Sequence, residues 1–183
     1  MKQVRRAGVF YIAVVIAFSM LAIVSDVRGQ EAEKVETPRD TLLAIARDTM
    51  AKARFCALIT LDASGHPRAR TMEAFPPEDN MVVWMGTSRY TRKVEEIRND
   101  PRVTLYYAHP DHVGYVTLYG TAKLVDTPEE KDKRWKEEYA SYFPEGKAGY
   151  ILIAVTPKRM EVTDYSRGVA GDPKTWKPPT VKF

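Results

Sequence analysis

Between residues 55 and 163 the chain is a succession of short strand-like runs, each ended by turn-forming residues, with little helix between them. Phe55 to Leu61 is apolar, Asp62-Ala63-Ser64-Gly65 reads as a hairpin turn, and His66 to Phe75 alternates. Pro76-Pro77-Glu78-Asp79-Asn80 breaks that run, and Met81 to Met85 follows as a strand buried by composition. Val103 to Tyr107 and Tyr115 to Leu124 flank the turn His109-Pro110-Asp111-His112, and Tyr150 to Val155 and Arg159 to Thr163 complete the set. Such a pattern predicts a mainly β fold, an antiparallel β-barrel with peripheral helices, rather than a doubly wound parallel sheet.

Three segments read as helices. Thr37-Pro38-Arg39-Asp40 opens the first, with Thr37 as N-cap and Pro38 in the first turn, and Leu42, Leu43, Ile45, Ala46 and Met50 recur at helical spacing to about Ala53. Thr91 to Asn99 is short and amphipathic, and Asn99-Asp100-Pro101 stops it. Thr127-Pro128-Glu129-Glu130 starts a third, running through Trp135 to Tyr142. From Ser166 onward Gly and Pro predict an extended tail, and Trp176 argues for some packing within it.

The first 29 residues have the order of a secretory signal: Lys2, Arg5 and Arg6, then an apolar run from Ala7 to Val24, then Val27-Arg28-Gly29 as a cleavage region. The run is about 18 residues, which also suits an uncleaved membrane anchor. Either reading predicts a domain exported beyond the cytoplasmic membrane, joined by a linker over 30–36. The leader carries +3 of the chain's net charge of +4, so the body's +1 gives no argument for nucleic-acid binding, and positive charge is judged locally. The single cysteine, Cys56, excludes an intrachain disulfide and reads as a buried core residue.

The segment richest in chemistry is Trp84-Met85-Gly86-Thr87-Ser88-Arg89-Tyr90-Thr91-Arg92-Lys93, where a buried strand gives way to a helix through a loop of hydroxyls and cations. A phosphate asks for this set: N–H groups at a helix start, hydroxyl donors, and Arg or Lys for charge. A solvated loop capping a helix would have the same composition. A second cluster, Arg68-Ala69-Arg70-Thr71-Met72, lies on an alternating strand, with Arg68, Arg70 and Met72 on one face. An inward arginine there needs an anion or a carboxylate as partner.

Arg70, then Trp84-x-x-Thr87-x-x-x-Thr91-x-Lys93, then Asn99-Asp100-Pro101-Arg102-Val103, resembles the FMN-binding split-barrel superfamily of pyridoxamine 5'-phosphate oxidase and the general stress flavoproteins. Tyr119-Gly120-Thr121-Ala122, Trp135, Phe143-Pro144-Glu145-Gly146 and the closing strand Ile151 to Val155 extend the resemblance over residues 37–165. It implies an FMN-binding split β-barrel domain over that span, with residues 166–183 as tail. It also implies that Arg70, Thr91, Arg92 and Lys93 hold the FMN phosphate. Trp84, Thr87 and the backbone around Thr71 and Met72 would line the ribityl chain and isoalloxazine, between the two subunits of a homodimer.

Two departures separate the chain from the oxidase itself. Glu73, Ala74 and Phe75 stand where the oxidase has a lysine, and its Arg-rich C-terminal segment is missing. The general stress branch is the closer match. His66, His109 and His112 all fall at turns and read as solvated. With no triad or metal motif legible, redox chemistry would belong to the flavin. An FMN oxidoreductase, a non-catalytic flavin-binding stress protein, and the same barrel holding deazaflavin or haem are the readings the sequence leaves.

Overall fold

The computed structural model describes residues 37–183, and these form one compact unit. The expected leader and linker lie outside the described residues. Helix α1 (Arg39–Ala53) comes first, followed by strands β1 (Phe55–Leu61), β2 (Pro67–Glu73) and β3 (Val83–Ser88). Helix α2 (Arg92–Asn99) leads to β4 (Arg102–Ala108) and β5 (Gly114–Val125). Helix α3 (Pro128–Arg134) and two 3₁₀ turns precede β6 (Tyr150–Asp164), and β7 (Thr180–Lys182) ends the chain. Among the described residues no helix is long and apolar enough to cross a membrane.

All strand pairs are antiparallel, in the order β2-β1-β4-β5-β6-β3, with β7 added to β6. The sheet curls into a split barrel whose two edges are β2 and β3. Just beyond β2 the Phe75 amide donates to the Trp84 carbonyl at 2.8 Å and draws the edges together. The gap along the remaining length of β2 is spanned by side chains from α2.

Alternation decides what fills the barrel. Cys56 and Leu58 on β1, Val103, Leu105 and Tyr107 on β4, and Val116 and Leu118 on β5 point inward. Leu42, Ile45, Ala46 and Met50 of α1 close one end against them. Each such aliphatic side chain contributes roughly 1.5–3 kcal/mol by leaving water. Outside the barrel a second, aromatic cluster of Trp84, Trp135, Tyr139, Phe143 and Tyr150 packs over β3 and β6.

Several expectations are revised. The two final strands are one, because a bulge takes up Lys158: Tyr119 faces Arg159 while Gly120 faces Pro157. The third strand begins at Val83, since Met81 takes a left-handed φ of 64°. Pro38, not Thr37, occupies the N-cap position of α1, without a side-chain cap. The third helix stops at Arg134: Trp135 is extended, which turns its indole into the aromatic cluster, and only a 3₁₀ turn, Glu137–Ser141, follows. The segment after residue 165 is largely extended, as expected, but it is tied to the sheet, and Trp176 is 75% exposed rather than packed. Val169 bridges to Asp164, and Val181, on β7, is buried against the core beside Met160. His66 and His112 are exposed, but His109 is only 4% exposed, its Nδ1 accepting from the Asp111 amide, because the turn folds back onto β6.

Candidate functional site

The gap between β2 and β3 collects most of the residues singled out from sequence. Arg70 points in from β2, Thr87 closes the inward face of β3, Thr91 precedes α2, and Arg92 and Lys93 occupy its first turn. Lys93 Nζ donates to Thr87 Oγ1 at 3.1 Å, Thr87 and Thr91 place their hydroxyls 3.4 Å apart, and Thr91 Oγ1 donates to the Ser88 carbonyl at 2.9 Å. Burial chiefly, and then the charge of Arg70, hold the Lys93 ammonium below the ordinary lysine range.

Arg70 is fixed from below. Its Nη1 donates to Thr60 Oγ1 at 2.5 Å and to the Leu58 carbonyl at 3.3 Å, and its Nη2 donates to Glu96 Oε2 at 2.7 Å. Glu96, on α2 and 4% exposed, also accepts from Thr60 Oγ1 at 2.5 Å and from Arg92 Nε at 2.9 Å. Burial alone would raise its carboxyl, but the bonds from Thr60 and Arg70 and the charge of Arg92 keep it below the usual carboxylate range. Glu96 is therefore the carboxylate that an inward arginine requires.

Charge and donor count describe what this arrangement can hold. Arg70, Arg92 and Lys93 against Glu96 leave a local charge of +2. Beyond the bonds just given, the three cations retain unused N–H donors, joined by the amides of the first turn of α2. A dianionic phosphate monoester fits this set in charge and in chemistry.

The remaining predicted residues divide. Met72 lies on the same face as Arg70, further along β2 and buried, and Thr71 points the other way and is exposed. Because β2 is an edge strand, alternate backbone N–H and C=O groups around Thr71 and Met72 face away from β1. Trp84 does not join the cluster. It is three residues from Thr87, so the pleat sends it to the outer face of β3. There its Nε1 donates to Glu78 Oε1 at 2.8 Å and the Arg134 guanidinium lies 3.6 Å from its ring. The implied role of Trp84 beside the flavin therefore does not fit its position. Glu96 and Thr60 were not identified from sequence; the signal available for Glu96 was its i+4 spacing from Arg92 on a helix start.

Comparison with known proteins gives the family and the fold. The model of the family "Pyridoxamine 5'-phosphate oxidase like" matches residues 43–171. The chain belongs to that family. It is 32% identical over 104 residues to general stress protein 26 of Bacillus subtilis, covering 54% of this chain and 71% of that one. Among solved structures, a protein related to general stress protein 26 from Clostridium acetobutylicum superposes with a TM-score of 0.66 at 18% identity, covering 80% and 97% of the two chains. A pyridoxamine 5'-phosphate oxidase-related, FMN binding protein of Nostoc punctiforme gives 0.58 at 12% identity (81% and 98%). A heme binding protein of Mycobacterium smegmatis gives 0.54 at 19% identity (70% and 55%). At these identities the structural likeness is one of fold.

Proposed function

We propose that this chain is an FMN-binding flavoprotein that uses the bound flavin as an oxidoreductase. The observation that carries the reading is the cluster of Arg70, Thr87, Thr91, Arg92 and Lys93, with its net +2 charge, in the gap between the barrel's edges. Arg70, Thr91, Arg92 and Lys93 would hold the phosphate, and Thr87 would meet the ribityl chain. The edge backbone of β2 at Thr71 and Met72 would face the ring system. Bound FMN supplies the acceptance and release of an electron pair; the protein supplies binding and orientation. The Nostoc relative's FMN supports this reading, and the Mycobacterium relative's haem makes the prosthetic group a question for experiment. Glu73, Ala74 and Phe75, in the stretch where the oxidase has a lysine, speak against vitamin B6 oxidation.

The proposal extends to assembly and location. A homodimer is supported by the outer face of the sheet, where Tyr106 and Tyr115 stack at 5.6 Å and Tyr106 stands exposed. Light scattering that found only monomer with flavin bound would overturn it. Export rests on the leader pattern, and an intact Met1 in a cytosolic protein would overturn it. The test of the function itself is the absorption spectrum of the purified protein and its response to NAD(P)H or a quinol. Flavin bands that bleach on reduction are expected; a Soret band would replace the flavin reading with a haem one.

A further inference from the structure

Arg89 and Tyr90 stand in the middle of the segment richest in chemistry, yet they make none of the bonds of the phosphate cluster. Both are held by the chain between β5 and β6. Residues 88–91 form a tight turn: the Thr91 amide donates to the Ser88 carbonyl at 3.2 Å, so Arg89 and Tyr90 are its central residues. The Arg89 amide donates to the Gly149 carbonyl at 3.0 Å. Its Nη2 donates to both oxygens of Asp126, at 3.0 and 2.9 Å. The Tyr90 hydroxyl donates to Glu145 Oε2 at 2.9 Å.

Asp126 is itself fixed. It follows β5 directly, where Val125 pairs with Leu152 of β6. Lys131 of α3, 8% exposed, places its Nζ 2.5 Å from Asp126 Oδ1 and donates to the Lys147 carbonyl at 2.8 Å. Burial alone would raise the Asp126 carboxyl, but the bonds from Lys131 and Arg89 hold it below the usual carboxylate range.

The turn matters for what it delivers. Val94 and Ile97 bury α2 against the barrel, so the axis of that helix is set without the turn. Its start is not. Thr91 gives α2 no side-chain cap, and its hydroxyl donates back to the Ser88 carbonyl. Where the Thr91 hydroxyl and the amides of Arg92 and Lys93 stand therefore follows the turn, and Arg89 ties the turn to Asp126.

We propose that Asp126 is a positioning residue for the phosphate cluster: by holding Arg89 it fixes turn 88–91, and with it the groups at the start of α2 that meet a phosphate. The inference rests on the flavin reading for the identity of the phosphate, not for the presence of an anion site. The sign of the effect separates positioning from charge. Removing a carboxylate makes its surroundings more positive, which by itself would tighten the binding of a dianion. Loosening the turn would weaken it.

The test is titration of the purified protein with FMN, riboflavin and inorganic phosphate. The variants are Asp126→Ala, Asp126→Glu, Arg89→Met, and Asp126→Ala combined with Arg89→Met. The side chains of Arg89 and Asp126 are 31% and 43% exposed. Asp126→Ala should therefore weaken FMN and phosphate by about three- to five-fold, the scale of one partly exposed ion pair. Riboflavin should stay within about two-fold of the parent, and Asp126→Glu should restore most of the loss. Arg89→Met should weaken FMN to a similar extent, and the double variant no further, because the two residues act through one contact. Charge alone would instead return the double variant to the parent. A folded Asp126→Ala that bound FMN and phosphate as tightly as the parent, or more tightly, would overturn the proposal. So would equal losses for FMN and riboflavin, additive losses in the double variant, or unfolding of both single variants, which would make the pair a support of the fold alone. A parent that bound phosphate but no flavin would fall on the flavin reading, and the phosphate titrations would still decide the role of Asp126. A parent that bound neither would overturn both.

Discussion

Replacing Glu96 by glutamine tests the electrostatic core of the site without changing its shape. The carboxylate accepts from Thr60, Arg70 and Arg92, and Gln keeps one acceptor oxygen while turning an amide donor toward a guanidinium. Removing one partner of a fully buried pair costs about 3–5 kcal/mol. The figure must be discounted here, because Glu96 is covered rather than deep: the side chain of Arg70 is 19% exposed and that of Arg92 70%. Arg92, like other exposed partners, contributes about 0–1 kcal/mol. The structure therefore predicts a loss of about 2–4 kcal/mol at neutral pH, seen in urea or thermal unfolding as a fall in Tm of about 5–15 °C. The pH dependence has a definite sign. The Glu96 carboxyl lies below its ordinary value in the folded state. Its contribution is thus present above the unfolded-state pKa and is lost as pH falls through the folded one, so parent and variant should converge in acid. Inorganic phosphate should stabilise Glu96→Gln more than the parent, since the anion can take the place of the lost charge beside Arg70. A variant within about 0.5 kcal/mol of the parent at pH 7, the scatter of ordinary surface changes, would refute the assignment of Glu96 as the partner of Arg70.

Three further outcomes follow from the packing. A Cβ at Gly86 would come within 2.3 Å of the buried Tyr150 ring, so Gly86→Ala should cost about 1–3 kcal/mol in unfolding experiments; an unchanged midpoint would mean the ring moves freely. Trp84→Phe loses the bond to Glu78 and the contact with Arg134 outside the barrel, so it should lower stability by about 1–2 kcal/mol. Its FMN affinity should stay within about two-fold, a few tenths of a kcal/mol, and a large loss in a folded variant would return Trp84 to the flavin site. Burial pushes the Cys56 thiol up to about 11, so alkylation of the native protein by iodoacetamide should remain slow through neutral pH and rise only near that value; rapid labelling at pH 7 would contradict the buried position.

The fold was legible because its information is local. The apolar run of β1, the period-two alternation of β2 and the turn at Asp62-Ala63-Ser64-Gly65 mark strands directly, and the start of α2 shows in Thr91-Arg92-Lys93. The outer position of Trp84 was also available, since residues 84 and 87 have opposite parity on one strand. What could not be read depends on distant partners. Glu96 looks like any charged residue on a short amphipathic helix until Thr60 and Arg70 are seen to cover it. Helix α3 ends at Trp135 because of an aromatic cluster assembled from β3 and β6, not because of a local breaker. β7 has only three residues, too few for periodicity, and its burial comes from Val181 meeting Met160 across the strand pair.

The most direct measurement of the central claim is a paired titration of FMN and riboflavin, which differ by the phosphate, against the parent, Lys93→Ala and Arg70→Ala. Each charge-assisted bond contributes about 1.5–3 kcal/mol. The account predicts that each variant weakens FMN by about ten- to a hundred-fold and leaves riboflavin nearly unchanged, with melting curves showing that the variants are folded. Folded variants that bind FMN as tightly as the parent, or a parent that does not distinguish FMN from riboflavin, would contradict it.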